Sequence, residues 1–155
     1  MIHPIKVERV MNKDELVLDV LHDLPEWFGI ESAIQDYALK ANSLPFFHIE
    51  DKGFLIINET SPYVAEIYCM GVKKEYQHQG IGKRLFEMAY AYCVGKYDFL
   101  QVKTVKMGMY PEYDQTNQFY KRLGFKEFEV LDIWDEANPC QVYIMKVNSH
   151  GKRAV

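Results

Sequence analysis

A single mixed α/β layer domain is the fold class this chain predicts, and three observations carry that expectation. The 155 residues suffice for one core that buries roughly two thirds of the unfolded surface. Apolar residues recur at helical spacing in some stretches and as short strand-like runs in others, with no repeat or linker separating them. Between Val64 and Leu85 a near-continuous apolar run passes through a short basic link into a glycine-opened helix.

Ile5 to Val10 reads as a first strand, and Lys13 to Leu24 as a helix with Leu16, Val17, Val20, Leu21 and Leu24 on one face and Asn12 as its cap. Pro25 stops it. A second helix, about Ile30 to Ala41, places Ile34, Tyr37, Ala38 and Ala41 on one side, and Asn42, Ser43 and Pro45 close it. Phe46 to Glu50 and Gly53 to Glu59 are short strands parted by Asp51-Lys52-Gly53, which is hairpin chemistry. Val64 to Val72 reads as a buried strand interrupted by Glu66 and by Gly71, a candidate bulge. A helix from about Gly80 to Lys96 buries Ile81, Leu85, Met88, Ala89 and Tyr92. Phe99 to Met107 alternates as a strand, and Gly108 to Gln115 reads as a loop. A short helix follows at Thr116 to Leu123, then strands at Phe125 to Ile133 and Gln141 to Val147, joined by a Trp134 to Cys140 loop. Residues 1–148 are expected to form one domain, with 149–155 a flexible tail.

The stretch Gln77-His78-Gln79-Gly80-Ile81-Gly82-Lys83-Arg84 reads as a phosphate cradle. Two glycines let a ligand approach the backbone, and a helix that starts there offers unpaired N–H groups and the positive end of its dipole. Lys73, Lys74, Lys83 and Arg84 face Glu75 alone, a local charge of +3 on a chain of net charge −4. A Rossmann fingerprint needs a third glycine where Leu85 stands, and a Walker loop needs glycine at Gln77 and Ser or Thr at Arg84, so both readings fail. Gln-x-x-Gly-x-Gly between a strand and an amphipathic helix resembles the acetyl-CoA pyrophosphate loop of the GCN5-related N-acetyltransferase (GNAT) superfamily. Thr116-Asn117-Gln118-Phe119-Tyr120-Lys121-Arg122-Leu123-Gly124-Phe125 resembles the second signature of that superfamily. Gln101 to Val105 and Ile133 to Cys140 further resemble a group of acetyltransferases from Firmicutes, which names no substrate.

The resemblance implies a GNAT-like acyl-CoA N-acyltransferase fold, a central mixed β-sheet flanked by helices, with acetyl-CoA as co-substrate and no metal. It implies that the backbone from Gln77 through His78, Gln79, Gly80, Ile81 and Gly82 holds the pyrophosphate with Lys83 adding charge. Met70 and Val72 then offer an edge to the pantetheine, and the Met70 N–H binds the acetyl carbonyl. Asn117 matches a residue that contacts the pantetheine or phosphate arm. Tyr120 is the candidate general acid, because a phenol with pKa near 10 can hydrogen-bond or protonate a thiolate of parent pKa roughly 8.5. Glu66, fourteen residues before Gly80, matches the catalytic base of histone-acetylating members. On an apolar strand its carboxylate is expected to be a usable proton acceptor; many members use water relays instead.

The acceptor wall is expected to include Trp27, Phe28, Tyr110, Tyr113 and Trp134, with Glu26, Glu31, Asp36 and Asp114 nearby to favour a cationic amine. A small-molecule or peptide amine is the implied partner, and homodimers are common among relatives. The rival reading is a non-catalytic acyl-CoA-binding module. O-acetyl or longer-acyl transfer is a third. A composition 48% hydrophobic and 26% charged is globular, and no apolar run approaches the roughly 20 residues that span a bilayer. Neither a membrane nor a nucleic-acid partner is expected, since the net charge is negative. Cys69, Cys93 and Cys140 suggest neither a disulfide framework nor a zinc site, and with no secretory leader the cytoplasm is the expected location.

Overall fold

The computed structural model describes residues 11–148, so the strand expected at Ile5 to Val10 and the tail from Ser149 lie outside the described residues. Helices α1 (Lys13–His22) and α2 (Glu31–Lys40) precede strands β1 (Phe46–Ile49), β2 (Gly53–Ser61) and β3 (Val64–Val72). Helix α3 (Ile81–Cys93), strand β4 (Phe99–Val105), helix α4 (Pro111–Leu123) and strands β5 (Lys126–Leu131) and β6 (Cys140–Lys146) follow. The six strands form one mixed sheet in the order β1-β2-β3-β4-β6-β5. Among the described residues only β3 and β4 pair in parallel, with α3 as their crossover.

Two apolar cores hold helices on both faces of this sheet. Leu16, Val17, Val20 and Leu21 of α1 and Ile34 and Ala38 of α2 pack on Phe54, Ile56 and Cys69. Ile81, Leu85, Phe86, Ala89 and Cys93 of α3 pack with Tyr120 of α4 on Leu55, Ile57, Ala65, Ile67, Leu100, Val102 and Tyr143. The strands alternate faces as their period of two requires, so Leu55 and Ile57 meet α3 while Phe54 and Ile56 meet α1.

That alternation breaks once on β3. Ile67 opposes Ile57 and Cys69 opposes Ile56, which leaves Tyr68 as the extra residue of a bulge. Ile67 therefore belongs to one core and Cys69 to the other. Gly71, the candidate bulge residue, pairs regularly with Phe54. Its role is space: a Cβ there would stand 3.0 Å from Val20 and 3.1 Å from Leu24, so a side chain would push α1 off the sheet.

The other departure from expectation is α4, which begins at Pro111, five residues before the predicted Thr116. Pro111 occupies the first turn, where its missing N–H costs nothing. Glu112 and Asp114 complement the helix dipole there, and Asp114 Oδ1 accepts the Gly108 N–H at 2.7 Å. Residues that read as a loop because of Pro111 are thus the start of a helix of 13 residues. Among the described residues no helix is long and apolar enough to cross a membrane.

Candidate active site

Strands β3 and β4 run side by side only from Val64↔Phe99 to Ile67↔Val102. Beyond that point β3 stays with β2 as far as Val72, and β4 stays with β6 as far as Val105. Among the described residues the β4-facing edge of β3 from Tyr68 to Val72 has no strand partner. A cleft of about 680 Å³ opens beside it, lined by Met70, Val72, Gln77, His78, Gly80, Ile81, Gly82, Lys83 and Tyr120, and roofed by Trp27 and Phe28. Eleven of the residues expected from the sequence thus share one cavity.

The turn at its floor leaves backbone N–H groups unpaired within their own helix. The Gln77 amide donates to the Val72 carbonyl at 2.9 Å, folding the link back onto the end of β3. His78 (φ 62°) and Gly80 (φ 83°) are both left-handed, and a non-glycine residue in that region costs about 1–2 kcal/mol. Helix α3 bonds first from Arg84 N–H to Gly80 O at 3.0 Å, so the N–H groups of Ile81, Gly82 and Lys83 have no acceptor within their own helix. The two glycines differ in purpose. A Cβ on Gly80 would meet nothing within 4 Å, so its dihedral is what demands glycine. A Cβ on Gly82 would lie 3.1 Å from the Phe119 ring, so Gly82 lets α4 close against α3. Gln79 does not line the cleft, and its amide donates to Glu75 O at 3.0 Å.

The basic link is not a uniform patch. Lys73 pairs with Asp19 at 2.6 Å, and Lys74 pairs with Glu26 while its N–H donates to Asp23 at 2.8 Å. Both lysines therefore tie the link to α1 and its C-terminal extension. Lys83 and Arg122 line the cleft, and among the described residues neither has a carboxylate partner. Arg122 was invisible as a site residue in the sequence, where it is one basic residue of a helix end.

Tyr120 is 5% exposed, its ring packed against Phe119, Phe125 and Tyr143 at centroid distances of 5.4, 5.7 and 6.2 Å. Among the described residues its hydroxyl has no hydrogen-bond partner, and burial pushes the phenol well above its usual range. Asn117 behaves otherwise. It is fully buried, absent from the cleft lining, and its Nδ2 donates to Val105 O at 2.8 Å and Tyr113 O at 2.7 Å. Its Oδ1 accepts the Tyr143 hydroxyl. The expected cofactor contact is thus a clamp between α4, β4 and β6.

On the opposite face of the sheet, Glu66 projects beside α1 and α2, because its neighbours Ala65 and Ile67 point into the α3 core. Gln101 Nε2 donates to its Oε2 at 3.1 Å, and Lys103 Nζ lies 3.6 Å from the same oxygen. The surroundings are polar where the apolar strand predicted otherwise. Tyr37 and Tyr68 stand edge to face at 5.3 Å, and Phe28 meets Tyr37 at 6.0 Å. Burial first, and Glu66 among the nearby groups, push both phenols up, Tyr37 to about 12. Neither tyrosine was expected at the site, because nothing in the sequence marks a bulge at Tyr68.

The predicted acceptor wall divides. Trp27 Nε1 donates to Glu112 O and Thr116 Oγ1, each at 3.1 Å, and Tyr113 OH donates to Trp27 O at 3.0 Å. These three bonds clasp the α1–α2 link to α4 over the cleft. Tyr110 meets Tyr113 at 6.1 Å but lies outside the lining, as does Tyr113 itself. Trp134 is exposed on the β5–β6 connection, at the same end of the sheet because Cys140 pairs with Val105. Three of the four carboxylates expected to draw a cationic acceptor are engaged within the protein: Glu26 with Lys74, Glu31 with His22 and Gln35, and Asp114 with Gly108. Among the described residues no group of His, Cys, Asp and Glu could hold a metal ion. Burial pushes the Cys69 thiol up, out of the range of a nucleophile.

The sequence profile of the acetyltransferase (GNAT) domain matches residues 43–127, more than half of the chain. The chain belongs to the GNAT acetyltransferase family. The GNAT fold extends beyond the matched region. A GNAT-family protein from Desulfovibrio desulfuricans superposes with a TM-score of 0.73 at 19% identity, over 90% of this chain and 96% of that one. A GNAT acetyltransferase from Elizabethkingia anophelis with acetyl-CoA bound gives 0.64 at 17% identity, over 93% and 95%. The ribosomal-protein-S18-alanine N-acetyltransferase from Escherichia coli gives 0.68 at 13% identity, over 94% and 96%. At these identities the likeness is one of fold. No curated protein is significantly similar in sequence.

Within this GNAT domain the clamp at Asn117 has a measurable consequence. Asn117→Ala leaves the Tyr143 hydroxyl and the Val105 carbonyl without their partner in a dry interior, and is expected to lower unfolding stability by about 2–4 kcal/mol in urea titration. A residue that served only a ligand would leave the unliganded protein's midpoint unchanged.

Proposed function

We propose that this domain transfers an acetyl group from acetyl-CoA to a primary amine of a small molecule or peptide, by direct attack in a ternary complex. The observation that carries the reading is that one cleft brings together, among the described residues, a strand edge at Met70 and Val72 without a strand partner, a left-handed glycine turn and a buried phenol whose hydroxyl has no hydrogen-bond partner. Binding alone requires the first two features and not the third.

In this reading the backbone of the 77–83 turn seats the pyrophosphate, with Lys83 beside it. The pantetheine extends along the open edge of β3 as an added strand. The Met70 N–H receives the charge that develops on the acetyl carbonyl, a contribution worth about 3 kcal/mol where one such donor has been removed elsewhere. Tyr120 faces the departing sulfur. A phenol near 10 giving its proton to a thiolate near 8.5 goes uphill by about 2 kcal/mol, and burial adds to that. Its main contribution is therefore a hydrogen bond to the sulfur as charge builds there, with the proton following as the bond breaks.

Glu66 accepts the proton that the attacking amine must lose. Its Oε2 is held by Gln101, and its Oε1 has no hydrogen bond among the described residues. Met70 lies four positions beyond Glu66 on the strand, at most about 13 Å away at 3.3 Å per residue, since the bulge at Tyr68 shortens the rise. The carboxylate thus works through water rather than by touching the amine, which joins the two mechanisms that the sequence left as alternatives. The resemblance to acetyltransferases from Firmicutes carries no acceptor with it.

The test is free CoA release from acetyl-CoA by the purified protein, read against polyamines, amino acids, aminoglycosides, aromatic amines and peptide N-termini. Saturable release with one class is the expected outcome. Tight acetyl-CoA binding without release above background for any amine would identify a binding module instead.

Tyr120→Phe should lower kcat by roughly 10²-fold with the KM for acetyl-CoA nearly intact. Because burial raises the phenol, the wild-type rate should show no alkaline loss from Tyr120 up to at least about pH 10, the ordinary value. Steady-state kinetics across pH check both. Glu66→Gln should cost most at neutral pH and progressively less toward pH 9.5, where the acceptor needs less help to lose its proton. A deficit that stays constant with pH would remove Glu66 from the base role.

A further inference from the structure

Outside the cleft lining, on the sheet face that carries Glu66, stands a cation that the sequence reading did not weigh. Lys103 follows Val102, the last β4 residue paired with β3, and so stands level with Tyr68. It lies between the Glu66–Gln101 level and the Met70 level, where the acetyl group is placed. Its side chain is 32% exposed, and Glu66, its charge partner, is 13% exposed. At 3.6 Å from Glu66 Oε2 the ammonium is beyond hydrogen-bond reach, and that oxygen already takes the Gln101 amide at 3.1 Å. Among the described residues Lys103 donates no hydrogen bond, so a half-buried ammonium keeps three donors for a ligand or water.

The surroundings point the same way. The hydroxyls of Tyr37 and Tyr68 have no partner among the described residues, and both phenols stay protonated and able to donate. The carboxylates expected to hold a cationic acceptor are bonded elsewhere, at Lys74, at His22 and Gln35, and at the Gly108 N–H. Asp36 alone remains of those four, exposed on α2. A second cation on the acceptor would have to compete with Lys103 for Glu66.

We propose that the acceptor carries an anionic group beside its amine, and that Lys103 receives that group while Glu66 serves the amine. The Glu66–Lys103 pair is complementary to a molecule bearing both charges, as an amino acid or an aminoalkyl phosphate does. An ammonium reads either anion as a point charge, so the shared chemistry is the negative charge rather than its geometry. This inference rests on the acetyl-transfer reading, and it deepens it by naming the acceptor class.

The experiment uses the full chain, acetyl-CoA and matched amines on one carbon skeleton that end in a carboxylate, a phosphate, a neutral carboxamide or a second ammonium. The expected result is a kcat/KM at least tenfold higher for one of the two anionic acceptors than for the carboxamide. Whichever anion leads identifies the source. Lys103→Met should bring that preference within about threefold, Lys103→Arg should retain most of it, and the KM for acetyl-CoA should not change in either. A preference for the diamine overturns the proposal while leaving acetyl transfer in place. So does an equal loss for all four acceptors in Lys103→Met, which would make Lys103 a positioning residue for Glu66. Calorimetric binding of the same amines in the presence of CoA decides the matter if no turnover occurs. Binding of the anionic amines that Lys103→Met abolishes supports the assignment, and binding indifferent to the anion removes it.

Discussion

Everything chemical in this domain depends on two parallel strands that part before they end. Past Ile67 and Val102 the backbone groups on the facing edges of β3 and β4 give up each other's hydrogen bonds, and an open gap in a sheet normally closes or fills. Two devices keep this one open. The bulge at Tyr68 turns the end of β3 so that Cys69 and Gly71 seat on α1 rather than on α3. On the other side Asn117 gives both amide hydrogens to carbonyls, one of them Val105 at the tip of β4, and takes the Tyr143 hydroxyl from β6. Each strand is thereby fastened to its own helix, and the gap between them is left for a ligand's backbone-like amides.

The electrostatics follow from the same geometry. A link with a local charge of +3 suggests a broad positive seat, yet Lys73 and Lys74 reach back to Asp19 and Glu26, residues contributed by α1 and the chain just after it. Their work is mechanical, since they hold the link against α1 while backbone N–H groups face the cleft. An anion at the turn would then be met by dipoles that cannot swing away, with Lys83 and Arg122 as the charged side chains at its rim. Fixed donors require no reorganisation when a charged ligand arrives, which is the arrangement a diphosphate favours.

How much of this was legible depended on whether the information was local. The strand from Val64 to Val72 was placed residue for residue, and the glycine turn was placed to within a residue of where α3 begins, because periodicity and glycine spacing are properties of neighbours. Tyr120 was singled out through a short signature on one helix, and it lines the cleft. Asn117 came from the same signature, but its structural bonds could not be read there, since two of its three partners, Val105 and Tyr143, come from the distant strands β4 and β6. The Glu66–Gln101–Lys103 cluster could not be read at all. It exists only because β3 and β4 pair in parallel across 35 residues, and register between distant strands leaves no mark on either one alone. The start of α4 was missed for a different reason: proline was read as a breaker where the first helical turn accepts it.

The division of the sheet's two faces then constrains the order in which chemistry can be assembled. The glycine turn and Tyr120 lie with α3 and α4, while Glu66, Lys103, Tyr37 and Tyr68 lie with α1 and α2, so in the proposed reaction donor and acceptor would approach the same gap from opposite sides. Only an unpaired strand edge lets both reach one point, because a completed sheet would set a wall of side chains and hydrogen bonds between them. The clasp of Trp27 to Glu112, Thr116 and Tyr113 bridges this gap at its open end. It ties the acceptor-side link to the helix that carries Tyr120 one turn further on. The two faces are thereby joined through three hydrogen bonds, and in the proposed mechanism the contacts that roof the cleft are also those that link the side of the base to the helix of the acid.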